Sequence, residues 1–205
     1  MRGRFRICDL RFAIFLWIAL IGAASAEDSR TAWRVWLEPT FMHAPVTAPI
    51  TGAKKTVFAC GTLAEEGLVT MPRESFTATK VSWEVFMAQA RENAASEFAE
   101  LKPRYERGTN KVIAYAALES TKPTVASAVL APKFLESFKE TLGDTVLVVI
   151  PNRFTAFIFP KLASRYAEYS PMVFRAYRDT SWPVSVEVFE VNAKGWRCIG
   201  AYEEP

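Results

Sequence analysis

The chain offers few side chains that could act as nucleophiles or metal ligands, and Cys60 and His43 are the pair to consider first. His43 is the one histidine among the 205 residues, which excludes a zinc site with several imidazoles. A catalytic dyad would require Cys60 to meet His43 and to be a partly exposed thiolate. Cys60 lies in an apolar, strand-like segment, so the sequence favours a structural cysteine and a loop histidine.

Paired carboxylates are the second candidate for chemistry, because acid–base catalysis of this kind needs two of them converging in a cleft. Glu65 and Glu66 are adjacent in sequence, while Glu97 and Glu100 fall on the polar side of an amphipathic helix. Both patterns are typical of a solvated surface. The common serine-nucleophile, phosphate-loop and dinucleotide motifs are also missing from the sequence, so we predict no catalytic residue, no metal site and no cofactor.

Asn152 and Arg153 are the candidate binding residues. They lie between a β-branched run at residues 145–150 and an apolar run at 155–159, a pattern that predicts an exposed turn of a rigid hairpin. Loops on rigid scaffolds often carry binding groups, and the planar guanidinium of Arg153 suits a carboxylate or phosphate. The alternative interpretation is a polar turn that only reverses the chain.

Apolar periodicity defines the elements that would position these side chains. Besides the hairpin, it predicts a strand within residues 31–42 that ends at a turn, strands over 56–63 and 112–118, and a final hairpin of 184–191 and 196–202. Helices are predicted over residues 82–101, over 132–142 and from residue 170 onward, and residues 43–53 are predicted to be a loop. Strands joined by short turns favour an antiparallel or mixed sheet with helices packed mainly on one face, an α+β fold.

Residues 1–26 have the composition of a secretory signal peptide. Four arginines precede an apolar run over residues 12–21, and Ala24, Ser25 and Ala26 form a small-residue cleavage site. The apolar stretch is too short to span a bilayer of about 30 Å, so we predict cleavage and no stable membrane anchor. The expected product is a single α+β domain over residues 27–205, exported and either periplasmic or secreted.

Removal of the leader changes the charge and leaves two cysteines. Four of the 25 basic and one of the 22 acidic side chains lie in residues 1–26, which leaves 21 of each. A neutral chain without a basic cluster argues against nucleic acid as a partner. Cys60 and Cys198 remain, and in an oxidising compartment they form either a disulfide or two buried free thiols.

Several segments resemble the YtpQ-like family of uncharacterised bacterial proteins, domain of unknown function 1444, over roughly residues 83–200. The similar stretches are residues 90–94, 126–130, 146–159 and 182–185, the third including the turn of Pro151, Asn152 and Arg153. The chain departs from the family at Phe154, where an acidic residue is common, and at the entry to the segment from Thr124. The resemblance implies an α+β fold and no established reaction.

These features favour an exported, non-catalytic domain that binds a protein, a peptide or another envelope component. The alternative is a secreted or periplasmic hydrolase that uses carboxylates or a thiol.

The leader gives the first testable prediction. When the protein is expressed in its natural host, intact-mass analysis should show a chain that begins at Glu27, because the small residues at positions 24–26 suit a signal peptidase. An intracellular product that keeps Met1 would contradict the predicted export and the expectation that Cys60 and Cys198 reside in an oxidising compartment.

Overall fold

The computed structural model describes residues 30–108, 111–162 and 166–204. The predicted leader, residues 1–26, lies outside the described residues. The strands are β1 (Trp33–Pro39), β2 (Thr47–Pro49), β3 (Thr56–Ala64), β4 (Gly67–Thr70), β5 (Arg104–Arg107), β6 (Ile113–Glu119), β7 (Val146–Asn152), β8 (Thr155–Pro160), β9 (Glu187–Asn192) and β10 (Gly195–Ala201). The α-helices are α1 (Arg73–Ala78), α2 (Trp83–Asn93), α3 (Ala95–Glu100), α4 (Val125–Ala128), α5 (Phe134–Leu142) and α6 (Ser170–Arg178), with 3-10 turns at Thr40–Met42 and Tyr166–Tyr169.

The strands form two antiparallel sheets. In the first sheet β3 is central, β1 pairs with one edge of it, and β2 and β4 share the other edge. The second sheet has the order β10-β9-β7-β8-β6-β5. Antiparallel sheets with several helices confirm the predicted α+β fold.

The central strands of the second sheet, β7, β8 and β9, are buried on both faces. Val146, Val148 and Ile150 of β7 join the main core, whereas Leu147 and Val149 point into a second cluster, in keeping with the two-residue period of a strand. The main core also includes the first sheet and apolar side chains of α2 and α5. The second cluster is covered by α6, so most of the described helices pack on one face, as predicted.

Glycine allows two segments of backbone to approach closely at two positions, one in β3 and one in the segment that follows β2. A Cβ on Gly61 of β3 would lie 1.9 Å from the carbonyl oxygen of Val69 in β4. Gly52, with a φ of +79°, lies beside the carbonyl of Cys198 in β10 and lets the chain after β2 reach that strand. The amide of Cys198 donates to the carbonyl of Thr51 at 2.8 Å, and this bond links the two sheets.

Several short elements differ from the sequence predictions. The predicted loop at 43–53 contains β2, and β4, β5, α1 and α4 were not predicted. The long helix predicted over 82–101 is two helices with Ala94 between them, although Ser82 does cap α2 through a bond from the amide of Val85. Short elements of three to six residues carry too few apolar repeats to be recognised by period.

Within the described ranges, no helix combines the length and apolar character needed to cross a bilayer.

Candidate functional site

Arg153, the first candidate binding residue, is buried rather than exposed. It occupies the two-residue turn between β7 and β8, yet only 4% of its surface is accessible. Its Nη2 lies 2.9 Å from both carboxylate oxygens of Glu38 in β1, and its Nη1 donates to the carbonyl of Leu68 in β4. The prediction of an exposed guanidinium is therefore wrong, because an internal carboxylate already occupies it.

Two tryptophans complete this buried ion pair. The guanidinium of Arg153 lies over the ring of Trp182 at 4.6 Å and over that of Trp36 at 5.6 Å. The Nε1 of Trp36 also donates to Oε2 of Glu38 at 2.8 Å. A buried charge pair contributes to stability only when its remaining polar atoms are satisfied, and here both partners have further hydrogen bonds. The pair joins the first sheet to the β7–β8 turn.

Asn152, the second candidate, is also buried, with 5% of its surface exposed. Its Nδ2 donates to the carbonyl of Ala176 at 2.7 Å, and its Oδ1 accepts a bond from the amide of Phe154. The first bond holds α6 against the second sheet, and the second closes the hairpin turn. Asn152 is therefore a structural residue of the turn and offers no exposed amide, contrary to the prediction.

The cysteines are free thiols, which decides between the two alternatives left open by the sequence. Cys60 lies at the centre of β3 with no accessible surface, and burial raises the pKa of its thiol to about 12. Such a thiol is protonated at neutral pH and is not a nucleophile. His43 lies on the surface in the loop after β1, so the pair does not have the environment of a catalytic dyad.

The paired carboxylates do not converge on a cleft. Glu65 and Glu66 are exposed in the turn between β3 and β4. Glu97 accepts two hydrogen bonds from Arg34, at 2.8 and 3.0 Å, and Glu100 pairs with Lys122 at 2.9 Å. Among the described residues, no group of three or more histidine, cysteine, aspartate and glutamate side chains is arranged to hold a metal ion.

A surface groove beside the final hairpin is the strongest candidate for a binding site. Three clefts of about 510, 300 and 230 Å³ share Gly195 and Trp196, and we call them together the Trp196 groove. Volumes of this size are at or near the range of ligand pockets in proteins. The apolar side chains that line the cleft of about 230 Å³ include Ile50, Phe58, Met87, Leu130 and Trp196. A fourth cleft, of about 490 Å³, adjoins the groove at Arg91 and Pro132.

The elements around the groove hold Trp196 in place. Its ring packs against Phe134 of α5 at a centroid distance of 6.2 Å and against Phe189 of β9 at 5.9 Å. Gly195 begins β10 with a φ of +115°, a conformation that glycine adopts without strain. Trp196 is only partly buried, so these contacts anchor the ring while it still contributes surface to the groove.

The rim of the groove is cationic. Lys161, Lys194 and Arg197 line the cleft of about 510 Å³, and Arg91 and Lys194 together line the cleft of about 300 Å³. Glu190 lies between Lys161 and Arg197 and accepts a bond from each at 2.9 Å. The bond from Lys161, followed by that from Arg197, lowers the pKa of Glu190 and keeps it ionised at neutral pH. In the cleft of about 510 Å³, the carboxylate of Glu190 therefore offsets the charges of Lys161 and Arg197 only in part.

Sequence reasoning did not identify the groove. The sequence predicts a hairpin turn and a strand at Lys194, Gly195, Trp196 and Arg197, and their local spacing does not indicate a cleft. Arg91 lies on a helix far away in sequence, and its part in the groove depends on tertiary packing. Comparison with protein-family models, curated proteins and solved structures finds no match. The resemblance to the YtpQ-like family therefore stays a prediction.

The buried ion pair predicts unequal effects of single and double substitutions. Glu38→Gln or Arg153→Met should lower the free energy of unfolding by about 3–5 kcal/mol, because each leaves a buried partner uncompensated. Combining Glu38→Gln with Arg153→Met should cost clearly less than the sum of the two, as measured by denaturant unfolding. The exposed pair of Arg104 and Glu119 is the control, and Arg104→Gln should cost less than about 1 kcal/mol. Equal losses from Arg104→Gln and Arg153→Met would contradict the assignment.

The cysteines predict a pattern of thiol labelling and of alkaline stability. At pH 8 the native protein should leave Cys60 unlabelled by a thiol reagent and expose Cys198 partly, while the denatured, unreduced protein should label both. Fewer than two labelled cysteines in the denatured protein would indicate a disulfide.

The burial of Cys60 also predicts a loss of stability at alkaline pH. Because the folded pKa of Cys60 is raised to about 12 from 9.0, its contribution to stability is complete below pH 9 and falls as the pH rises toward 12. In urea titrations, Cys60→Ala should reduce this pH-dependent loss of the free energy of unfolding.

Proposed function

We propose that this protein is an exported, non-catalytic binding domain and that the Trp196 groove holds its ligand, a protein, a peptide or another envelope component. The observation that carries the proposal is the combination of apolar side chains and an accessible cationic rim in one groove. Binding sites are typically apolar with a few polar groups that fix orientation. The leader-like residues 1–26 support export.

The environments of the thiol and carboxylate side chains also support a binding function over hydrolysis. The Cys60 thiol is buried and protonated, and the carboxylate of Glu38 is engaged by Arg153. A thiol or carboxylate hydrolase would need at least one such group within reach of a substrate. Among the described residues that line the Trp196 groove, Glu190 is the one acidic side chain, and two cations hold it.

Ligand binding at the groove should raise the melting temperature of the protein. The probes are muropeptides, lipopolysaccharide and a set of short synthetic peptides, each added to the purified protein in a thermal-shift assay. A probe present at about one hundred times its Kd stabilises the native state by about 2.7 kcal/mol, which is a rise of roughly 5–10 °C for a chain of this size.

Substitutions test whether such a shift comes from the groove. Trp196→Leu keeps an apolar contact for Phe134 and Phe189 but removes the ring from the groove, so it should abolish most of the shift. Lys102→Glu, an exposed position outside the groove, should leave the shift unchanged. If every active probe shifts wild-type protein and Trp196→Leu equally, the groove is not the binding site.

A further inference from the structure

We infer that the ligand of the Trp196 groove is an acidic peptide segment in which carboxylate side chains are interspersed with apolar ones. This inference rests on the proposed function and adds the chemical class of the ligand. Three properties of the groove support it: the excess of positive charge on its rim, the absence of carboxylate partners for two of its described cations, and the apolar surface beside them.

The rim is positive although the chain as a whole is nearly neutral. Together with the adjoining cleft, the groove is lined by five cations, Arg30, Arg91, Lys161, Lys194 and Arg197, and by two carboxylates, Glu92 and Glu190. Residues 27–205, in contrast, carry equal numbers of basic and acidic side chains. A concave surface with an excess of one sign of charge attracts ligands of the opposite sign and accelerates their association.

Two of these cations are available to a ligand. Lys194 is exposed at the turn before β10, and in the described part of the chain its ammonium group lies within 4.0 Å of no carboxylate. Arg91 donates from Nε to the carbonyl of Leu130 at 2.9 Å, a bond that orients its guanidinium. Its two Nη groups have no carboxylate partner among the described residues. A planar, oriented guanidinium is well suited to donate two hydrogen bonds to a carboxylate.

The apolar lining favours a peptide over a simple polyanion as the ligand. Phe58, Met87 and Trp196 line the same cleft as Arg91 and are only partly buried, so they present apolar surface to solvent. A polyanion such as polyphosphate would satisfy the cations and leave this surface wet. A neutral apolar peptide would cover the surface and leave the cations without partners. A segment with both kinds of side chain meets both requirements, as in the apolar centre and polar rim of protein interfaces.

Fluorescence anisotropy with labelled peptides tests this assignment on the purified protein. The probe is a short peptide of alternating glutamate and leucine, and the comparison peptides replace every glutamate with glutamine or every leucine with serine. We expect the glutamine and serine peptides to bind at least roughly tenfold more weakly than the probe. Affinity for the probe should also fall as salt rises from about 50 to about 300 mM.

Charge reversal locates the contact. Lys194→Glu and Arg91→Glu should each weaken binding of the glutamate peptide roughly tenfold or more and leave the glutamine peptide unchanged. Lys102→Glu is the matched control outside the groove and should change neither. Circular dichroism melting of each variant separates loss of fold from loss of binding.

The outcomes distinguish the ligand class from the proposed function. Equal binding of the glutamate and glutamine peptides, with both lost in Trp196→Leu, would overturn the acidic-peptide inference and keep the groove as a binding site. Polyphosphate that competes as strongly as the glutamate peptide would overturn it as well, in favour of a simple polyanion. Binding of any probe that neither Trp196→Leu nor the charge reversals weaken would overturn the inference and the proposed function together.

Discussion

The buried ion pair of Glu38 and Arg153 is the constraint on which the arrangement of the two sheets depends. The pair places a full positive and a full negative charge where neither reaches water, an arrangement that costs several kcal/mol unless the charges meet and their remaining polar atoms are bonded. Trp36 and Leu68 supply those remaining bonds. Because these groups come from β1, β4 and the β7–β8 turn, the ion pair is satisfied in only one relative position of the sheets.

The same relative position creates the groove. The chain after β2 meets β10 where the amide of Cys198 bonds to Thr51, and this places the apolar end of the first sheet beside the final hairpin. Helix α2 contributes Met87 and Arg91 from the other side, and Leu130 follows α4. The walls of the groove are thus distant in sequence and are brought together by contacts within the core. A groove built on such a scaffold is pre-organised, so under the proposed function little ordering would accompany ligand binding.

Local sequence patterns predict those elements that have a clear apolar run or a turn residue of their own. The β-branched run before Pro151 predicted the central hairpin, and Gly143 marked the end of α5 at a positive φ. Arg153 was assigned wrongly for a physical reason. Turn residues are usually solvated, and nothing local reveals that Glu38, 115 residues earlier, lies within hydrogen-bond distance of its guanidinium. The sequence does not predict the groove for the same reason, because its charged and apolar side chains come together only through tertiary contacts.

The charged groups of the groove are consistent with the binding function proposed above. General acid–base catalysis works best when a group has a pKa near the working pH, so that it can both accept and release a proton. In the Trp196 groove the bonds from Lys161 and Arg197 move the pKa of Glu190 downward, away from that range. Among the described residues, ammonium and guanidinium groups make up the rest of the charged lining, and these donate hydrogen bonds to anions. A lining of fixed donors around an aromatic ring is therefore suited to hold an anionic partner in one orientation.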